Sequence, residues 1–302
     1  MTSVADTTAV GVVLECCLEG VESAHQARSG GAHRIELCAN LAQGGVTPSI
    51  GDIEGSLLVV KGSHTRAHVL IRPRPGDSMY SELEKKVMEK DVSAAVKAGA
   101  HGVVIGALLE DGSIDCETTA RLVQAAAAAA AAAAVGTASC SVTFHRAFDC
   151  CTTDSLEALE TLIRLGVDRV LTSGGAASAW DGRATITRLV EASKGRISIL
   201  PGAGVTRGNV RQLLLETGAR EVHVGSACQE NVPRTVPRED VSVRLGFVGE
   251  AFLWAIRSQM RPRGTERVGV RYNAGGYLRR YDVRRMPGDE DLEISFRGSS
   301  KP

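Results

Sequence analysis

Short apolar runs alternate along most of the chain with stretches whose apolar residues have helical spacing. One helical set is Leu156, Leu159, Leu162 and Ile163. Eight apolar runs are predicted to be strands, at residues 12–16, 34–38, 68–72, 102–107, 142–146, 169–173, 197–201 and 221–226. Because strand and helix alternate eight times, the pattern predicts an α/β fold of the (β/α)8 type, a TIM barrel.

A short phrase recurs before four of the predicted strands. It reads GAHRI from Gly31, GAHGV from Gly99, GVDRV from Gly166 and GAREV from Gly218. In each copy a glycine past the end of a helix leads into the next strand. Recurrence before every second strand predicts a barrel built from four (βα)2 units. The alternative is an open doubly wound sheet, which favours a GxGxxG motif after the first strand, and the chain has none there.

The pattern predicts one barrel domain over residues 10–228 and a C-terminal extension over residues 229–302. A length of 302 residues suits one such barrel, which typically takes about 250 residues, plus a tail. The alanine tract at 125–134 favours an extension of the fourth helix into solvent. The extension holds a predicted helix at 250–260 and an arginine-rich stretch at 257–285. That stretch is interpreted either as a solvated tail or as a docking surface.

Composition narrows the class of protein. Hydrophobic residues make up 43% of the chain but aromatic residues only 4%, and an aliphatic core suits parallel strands buried on both faces. The formal net charge is zero, so neither nucleic acid nor a membrane is expected as a partner. The first residues do not form a signal peptide, which favours a cytoplasmic protein. The eight cysteines are then expected to be thiols, and the lack of a CxxC pair disfavours a zinc ribbon.

Polar residues lie where the predicted strands end, which is where (β/α)8 barrels carry their sites. Side chains alternate between the two faces of a strand. On strand two this alternation points Glu36 and Cys38 into the barrel, because the alternate residues Ile35 and Leu37 are apolar and should face the helices. On strand one it points Glu15 inward and places Cys16 on the helix-facing side.

The same alternation predicts a polar set inside the barrel. Its members are Glu15, Glu36, Arg72, His145 and His223. A buried charge needs a partner. The set is therefore either a structural salt-bridge layer or a group for acid/base chemistry or ligand anchoring, and both interpretations stay open.

Glycine-rich strand ends form a second candidate site. Ser173, Gly174 and Gly175 lie at the end of strand six, and Gly202 and Gly204 follow strand seven. Exposed backbone N–H groups in this part of a barrel commonly bind phosphate. The alternative is that these glycines only make tight turns.

Several of these phrases match a known family. They are LEC at 14–16, GAHRIELCANL at 31–41, GGVTPS at 44–49, IRPR at 71–74, VTFHRAFD at 142–149, RVLTSGG at 169–175 and the run at 195–205. Over about residues 12–228 the chain resembles the CutC-type copper-homeostasis family. The alanine tract has no counterpart in that family, and the chain departs from the family pattern at 229–266 and after 285.

The resemblance implies a cytoplasmic, homo-oligomeric (β/α)8 barrel associated with copper tolerance or trafficking. It further implies that Cu(I) is bound through cysteine thiolates at positions Cys16 and Cys38, and soft thiolates do prefer Cu(I). Strand alternation points these two side chains to opposite faces, so they converge only if the strand ends twist. Two buried, inert thiols are the alternative.

Two hypotheses about function follow. In the first, the protein binds copper for homeostasis without catalytic turnover. In the second, it is an enzyme that acts on a small anionic or phosphorylated substrate and has only an indirect link to copper. Arg72 would then anchor the substrate, Glu36 or His145 would be the general base, and Asp149 would belong to the same set. A scaffold that acts through the tail is a third possibility.

Overall fold

The computed structural model describes residues 11–133 and 140–225, together with the backbone of five short strands between residues 229 and 297. The first part contains eight strands: β1 (Val13–Glu19), β2 (Arg34–Cys38), β3 (Arg66–Leu70), β4 (Gly102–Ile105), β5 (Ser141–Phe144), β6 (Arg169–Thr172), β7 (Ser198–Pro201) and β8 (Glu221–Val224). Seven described helices alternate with them: α1 (Gly20–Ser29), α2 (Ile50–Val60), α3 (Glu82–Ala98), α4 (Cys116–Ala132), α5 (Ser155–Arg164), α6 (Arg183–Ser193) and α7 (Val210–Thr217).

The eight strands form one parallel sheet in the order β7-β6-β5-β4-β3-β2-β1-β8, and β7 in turn contacts β8. The sheet is therefore a nearly closed barrel, which confirms the predicted (β/α)8 fold. The alanine tract extends α4 as predicted, as far as Ala132. Among the described residues no helix is both long enough and apolar enough to cross a bilayer. The helix predicted at 250–260 lies outside the described residues.

Alternate residues of the strands pack outward against the helices. Leu14, Cys16 and Leu18 of β1 and Ile35 and Leu37 of β2 all belong to the main apolar core, and each is almost inaccessible to solvent. Burying a leucine or isoleucine side chain contributes about 1.5–3 kcal/mol, so this layer is the main source of barrel stability. The other residues of each strand face the barrel interior, where the polar groups collect.

The recurring phrase has a structural role at the N-terminal end of the barrel. His33, His101 and Asp168 occupy the same position in three of its copies. Each side chain accepts a hydrogen bond from a backbone N–H of the preceding strand, at 2.7 to 3.1 Å. Each backbone carbonyl accepts one from the first residue of the next strand but one, in β3, β5 and β7 respectively. The repeat therefore ties together the strands on either side of it, at the face where barrels carry stability rather than function.

Asp115 caps the N-terminus of α4 and forms an ion pair with Lys85 of α3. Its carboxylate accepts hydrogen bonds from the Thr118 backbone at 2.9 Å and the Thr118 hydroxyl at 2.7 Å, and Lys85 Nζ lies 3.0 Å away. We expect Asp115→Ala to lower the free energy of unfolding by about 1–2 kcal/mol in urea titrations, because the cap is lost. Glu54→Ala, at an exposed position on α2, is the control and should change it by less than about 0.5 kcal/mol.

The Asp115 effect should also depend on pH. Burial alone would raise the pKa of Asp115, but the Thr118 hydrogen bonds and Lys85 outweigh it and hold the pKa below its usual value. Because the pKa is lower in the folded protein, the carboxylate stabilises the fold at pH values above the unfolded-state pKa of about 3.9. This stability is lost as the pH falls through the folded-state pKa. The gap between wild type and Asp115→Ala should therefore shrink below about pH 4. A gap that stayed constant would contradict the role of the ionised carboxylate.

The described residues that follow the barrel in sequence form five strands. β9 (Gln229–Asn231) pairs antiparallel with β10 (Gly246–Val248). A separate unit at 261–302 holds a three-stranded antiparallel sheet of β11 (Tyr272–Ala274), β12 (Tyr277–Arg285) and β13 (Leu292–Arg297). β11 and β12 therefore lie within the arginine-rich stretch that the sequence pattern left as a tail or docking surface. Tyrosine and valine in β12 favour a strand, a tendency that the count of charges conceals.

Candidate metal centre in the barrel interior

A buried layer of charged side chains crosses the barrel interior near the N-terminal ends of the strands. Arg34 of β2 donates to Glu15 of β1 through Nε, and to Glu221 of β8 through Nη2 at 2.5 Å. Arg169 of β6 donates to the same Glu221 carboxylate at 2.5 and 3.2 Å. Glu15 is 1% exposed and Arg34 5%, so each charge depends on its protein partner rather than on water. A salt-bridge layer is therefore present, but of the predicted interior set it contains Glu15, whereas Arg34, Arg169 and Glu221 were not predicted members.

His223 of β8 connects this layer to Glu36, which lies further along the barrel interior towards the C-terminal ends of the strands. Its Nδ1 lies 2.7 Å from Glu15 Oε1, and its Nε2 lies 3.7 Å from Glu36 Oε2. Burial alone would lower the pKa of His223, but Cys17 and the two carboxylates outweigh it and raise the pKa well above its usual value. Glu36 also has a raised pKa, but here burial is itself the cause, because it disfavours the charged carboxylate. Glu15 differs, because Arg34 and His223 outweigh its burial and hold its pKa well below the usual range.

Two thiols extend this cluster: Cys17 lies next to His223, and Cys38 lies next to Cys17. Cys17 Sγ and Cys38 Sγ are 3.6 Å apart, and both side chains are buried in a small apolar cluster with Leu70 and Val104. The contact with Cys38 and burial raise the pKa of Cys17 well above its usual value. For Cys38, the hydrogen bond from Cys17 favours the thiolate, but burial and the charge of Glu36 outweigh it and raise the pKa to about 11. Without a bound cation, both groups are neutral thiols at neutral pH.

The interior thus brings together sulfur, nitrogen and oxygen donors. Ligand atoms of Cys17, Glu36 and His223 all lie within 4.8 Å of one another, and Cys38 adds a second sulfur beside Cys17. Thiolate and imidazole ligands suit a soft cation such as Cu(I), whereas Ca²⁺ and Mg²⁺ take oxygen ligands. Glu15 holds His223 through Nδ1, as carboxylates commonly hold metal-binding histidines. This cluster is the candidate metal centre.

The structure changes the predicted cysteine pair. Cys16 lies in the main core between the strands and the helices, and the thiol beside Cys38 belongs to Cys17. The physical reason is that β1 does not end at Cys16 but runs on to Glu19, so that alternation points Cys17 inward together with Glu15. Cys16 and Cys38 are therefore not brought together. Extending the alternation by one step from Glu15 would have found Cys17.

Arg72 and His145, two of the four predicted catalytic residues, lie near the end of the barrel that carries the βα loops. Arg72 follows β3 and donates to the carbonyl oxygens of Gly45 at 2.7 Å and Gly76 at 2.5 Å. His145 follows β5, and its Nδ1 accepts a hydrogen bond from the Ala147 N–H at 3.0 Å. Burial and the charge of Arg72 lower the pKa of His145 to about 3, so its ring is neutral. Glu36, the third predicted catalytic residue, lies instead in the metal centre.

Asp149, the fourth predicted catalytic residue, is occupied by hydrogen bonds within the protein. Its carboxylate accepts from the Thr172 hydroxyl at 2.5 Å, the Ser173 N–H at 2.9 Å and the Gly175 N–H at 3.1 Å. The Gly174 N–H donates to the Thr172 hydroxyl at 2.8 Å. These three backbone amides were the predicted anion site after strand six. A carboxylate and a hydroxyl of the protein already take their hydrogens, which disfavours an external anion there.

The two glycines after β7 serve the backbone. The Gly202 N–H donates to the Thr172 carbonyl at 2.9 Å, and a Cβ at Gly202 would lie only 2.5 Å from Leu171 Cδ1. Gly204 has a φ of +64°, and a Cβ there would lie 2.9 Å from the Cβ of Ser178. Both positions therefore require glycine for close packing or a left-handed turn, which favours the turn interpretation. Anion binding at Gly204 stays a prediction.

Known proteins show the same sequence pattern and fold. The CutC family profile matches residues 12–228. A protein described as a family protein CutC from Bacteroides fragilis is 42% identical over 234 residues, which cover 78% of this chain and 87% of the relative. The human copper homeostasis protein cutC homolog is 46% identical over 214 residues, covering 70% of this chain and 72% of the relative.

Solved structures agree with the sequence relatives. A crystal structure described as that of the copper homeostasis protein CutC from Streptococcus agalactiae has a TM-score of 0.64 at 31% identity, covering 71% of this chain and 98% of that chain. Thiamine phosphate pyrophosphorylase from Pyrococcus furiosus has a TM-score of 0.51 at 16% identity over 82% of this chain and 95% of that chain, a likeness of fold alone. The profile match and the identities of the relatives together show that this chain belongs to the CutC family.

Proposed function

We propose that this protein serves copper homeostasis by binding Cu(I) inside the barrel, through the thiolates of Cys17 and Cys38 and the Nε2 of His223. The observation that carries the proposal is the pair of buried sulfurs 3.6 Å apart, with His223 next to the sulfur of Cys17. Relatives named as copper homeostasis proteins support the choice of metal. Copper is the cargo in this proposal, and no catalytic turnover is needed.

The electrostatics of the site favour a cation over an empty pair of thiolates. A buried thiolate without a counter-charge is costly, which is why the pKa values of both thiols are raised. A bound Cu(I) supplies that counter-charge as it displaces the two thiol protons and the Nε2 proton of His223, whose raised pKa makes the ring an imidazolium before the metal binds. The apolar side chains of Leu70 and Val104 pack against the sulfurs and keep water from competing for the ion.

The cellular setting is part of the proposal. The seven cysteines in the described part of the chain form no disulfide, which suits the reducing cytoplasm. Assembly into a homo-oligomer stays a prediction, and light scattering on the purified protein would check it.

The proposal is tested by an anaerobic Cu(I) titration of the reduced protein against a chelator of known affinity. We expect one Cu(I) per chain, and we expect the Cys17→Ser/Cys38→Ser double variant to bind at least about 100-fold more weakly, a change of about 2.7 kcal/mol. Cys116→Ser, at an exposed position on α4, is the control and should bind as wild type does. Unchanged binding by the folded double variant would overturn the proposal.

The role of His223 has its own prediction. His223→Asn should weaken Cu(I) binding by about tenfold or more, because one of three ligands is lost. X-ray absorption at the copper edge should show sulfur and nitrogen neighbours in wild type and no imidazole nitrogen in the variant. Equal affinity and an unchanged spectrum would show that His223 is not a ligand.

A further inference from the structure

His145 carries a buried hydrogen-bond donor that the copper proposal does not use. The ring packs directly over Gly106, where an added Cβ would lie 2.3 Å from a ring atom. Because Nδ1 accepts from the Ala147 N–H, the neutral ring carries its hydrogen on Nε2. No group in the described part of the chain accepts a hydrogen bond from Nε2, which is fully buried. Native proteins rarely leave such a donor unsatisfied, so it points to a ligand.

Tyr80 carries a second polar atom of this kind. Its hydroxyl is buried, and no described residue forms a hydrogen bond of good geometry with it, although the side chains of Ser78 and Arg72 lie near. Arg72 follows β3 and His145 follows β5, so the two residues flank the end of β4, where Gly106 has no side chain to separate them. The charge of Arg72 also acts on the pKa of both Tyr80 and His145. The hydrogen bonds of the Arg72 guanidinium go to backbone carbonyls, and within the part of the chain that the structure describes it forms no ion pair with a carboxylate.

The chemistry of these three groups identifies what they could bind. A guanidinium, an imidazole N–H and a phenol all donate hydrogen bonds, and the local charge is positive. The complementary group is a negatively charged oxygen. We propose that Arg72, Tyr80 and His145 bind an anionic oxygen of a small molecule, from a carboxylate or a phosphate, at the carboxyl end of β3 and β5. His145 then donates to the ligand, whereas the sequence suggested it as a general base.

This site is independent of the copper proposal. It lies at the ends of β3 and β5, whereas the metal centre is formed by β1, β2 and β8. The Arg72 contact with the Gly76 carbonyl lies in exposed surroundings. Arg72 can therefore exchange that carbonyl for a ligand oxygen without disturbing the barrel core.

The test uses inorganic phosphate and acetate as separate probes of the full-length protein. Histidine is labelled with ¹⁵N, and the Nε2 resonance of His145 is followed by NMR as each anion is added. We expect a saturable shift with at least one probe. Saturation by phosphate alone would point to a phosphorylated ligand, and saturation by acetate alone to a carboxylate.

Variants then show whether the three residues form the site. Tyr80→Phe removes only the hydroxyl, and Arg72→Met removes the charge, so each should weaken the saturable anion binding about tenfold or more. His25→Gln, at an exposed position on α1, is the control and should bind as wild type does. The proposal is overturned if neither anion gives a saturable shift, or if folded Tyr80→Phe and Arg72→Met bind the anion as wild type does.

Discussion

Cys17→Ser should weaken Cu(I) binding by at least about 100-fold, while Cys16→Ser should change it by less than about threefold. The two residues are neighbours on β1 but face opposite sides of the strand. Cys17 Sγ lies 3.6 Å from Cys38 Sγ inside the barrel, whereas Cys16 packs in the core between strands and helices. Serine lacks the soft sulfur ligand that Cu(I) prefers. Anaerobic competition titrations on both purified variants measure the difference.

Cys16→Ser is a matched control because both cysteines are buried and the chemical change is the same. It should instead lower the free energy of unfolding by about 1–3 kcal/mol, since it places a hydroxyl in an apolar core. One variant thus loses copper binding, and the other loses stability. If Cys16→Ser lost copper binding and Cys17→Ser retained it, the interior site would be refuted. Equal losses in both would point to a general disturbance of β1.

The fold could be predicted because its main determinants are local. Each apolar run and each helical repeat lies within a few residues, and the recurring phrase marks the start of every second strand. The length of β1 could not be predicted from its neighbouring residues alone. It continues to Glu19 because β2 pairs with it as far as Cys38, and such pairing depends on a strand about twenty residues away.

The candidate site could be predicted only in part, for the same reason. Strand alternation indicated that Glu15, Glu36 and His223 face the interior, and the structure brings these three together. The choice of Cys16 came from the family resemblance and conflicted with that alternation. The hydrogen bonds of Asp149 to the loop after β6 were not predictable, because they join residues 24 or more positions apart through loop geometry.

Arg34→Met should lower the free energy of unfolding by about 3–5 kcal/mol, the usual effect of removing one partner of a buried ion pair. Arg34 is a charged partner of Glu15, which would keep His223, and it also pairs with Glu221, which would keep Arg169. Urea or guanidinium titrations at pH 7 measure the change. Arg66→Met is the matched control, because Arg66 pairs with Arg34 in the sheet register but is exposed. It should change the free energy by less than about 0.5 kcal/mol.

Acidity separates the loss of charge pairing from the loss of packing. In wild type the pKa of Glu15 is held low. Its carboxylate therefore stabilises the fold at pH values above the unfolded-state pKa of about 4.3, and this stability is lost as the pH falls through the folded-state pKa. In Arg34→Met the main opposing charge is gone, so burial should raise the pKa of Glu15, and that carboxyl then destabilises the fold as the pH rises. The gap between the two proteins should therefore narrow as the pH is lowered from 7 towards about 4. A gap of constant size would mean that Arg34 stabilises the barrel by packing its aliphatic stem rather than by pairing with Glu15.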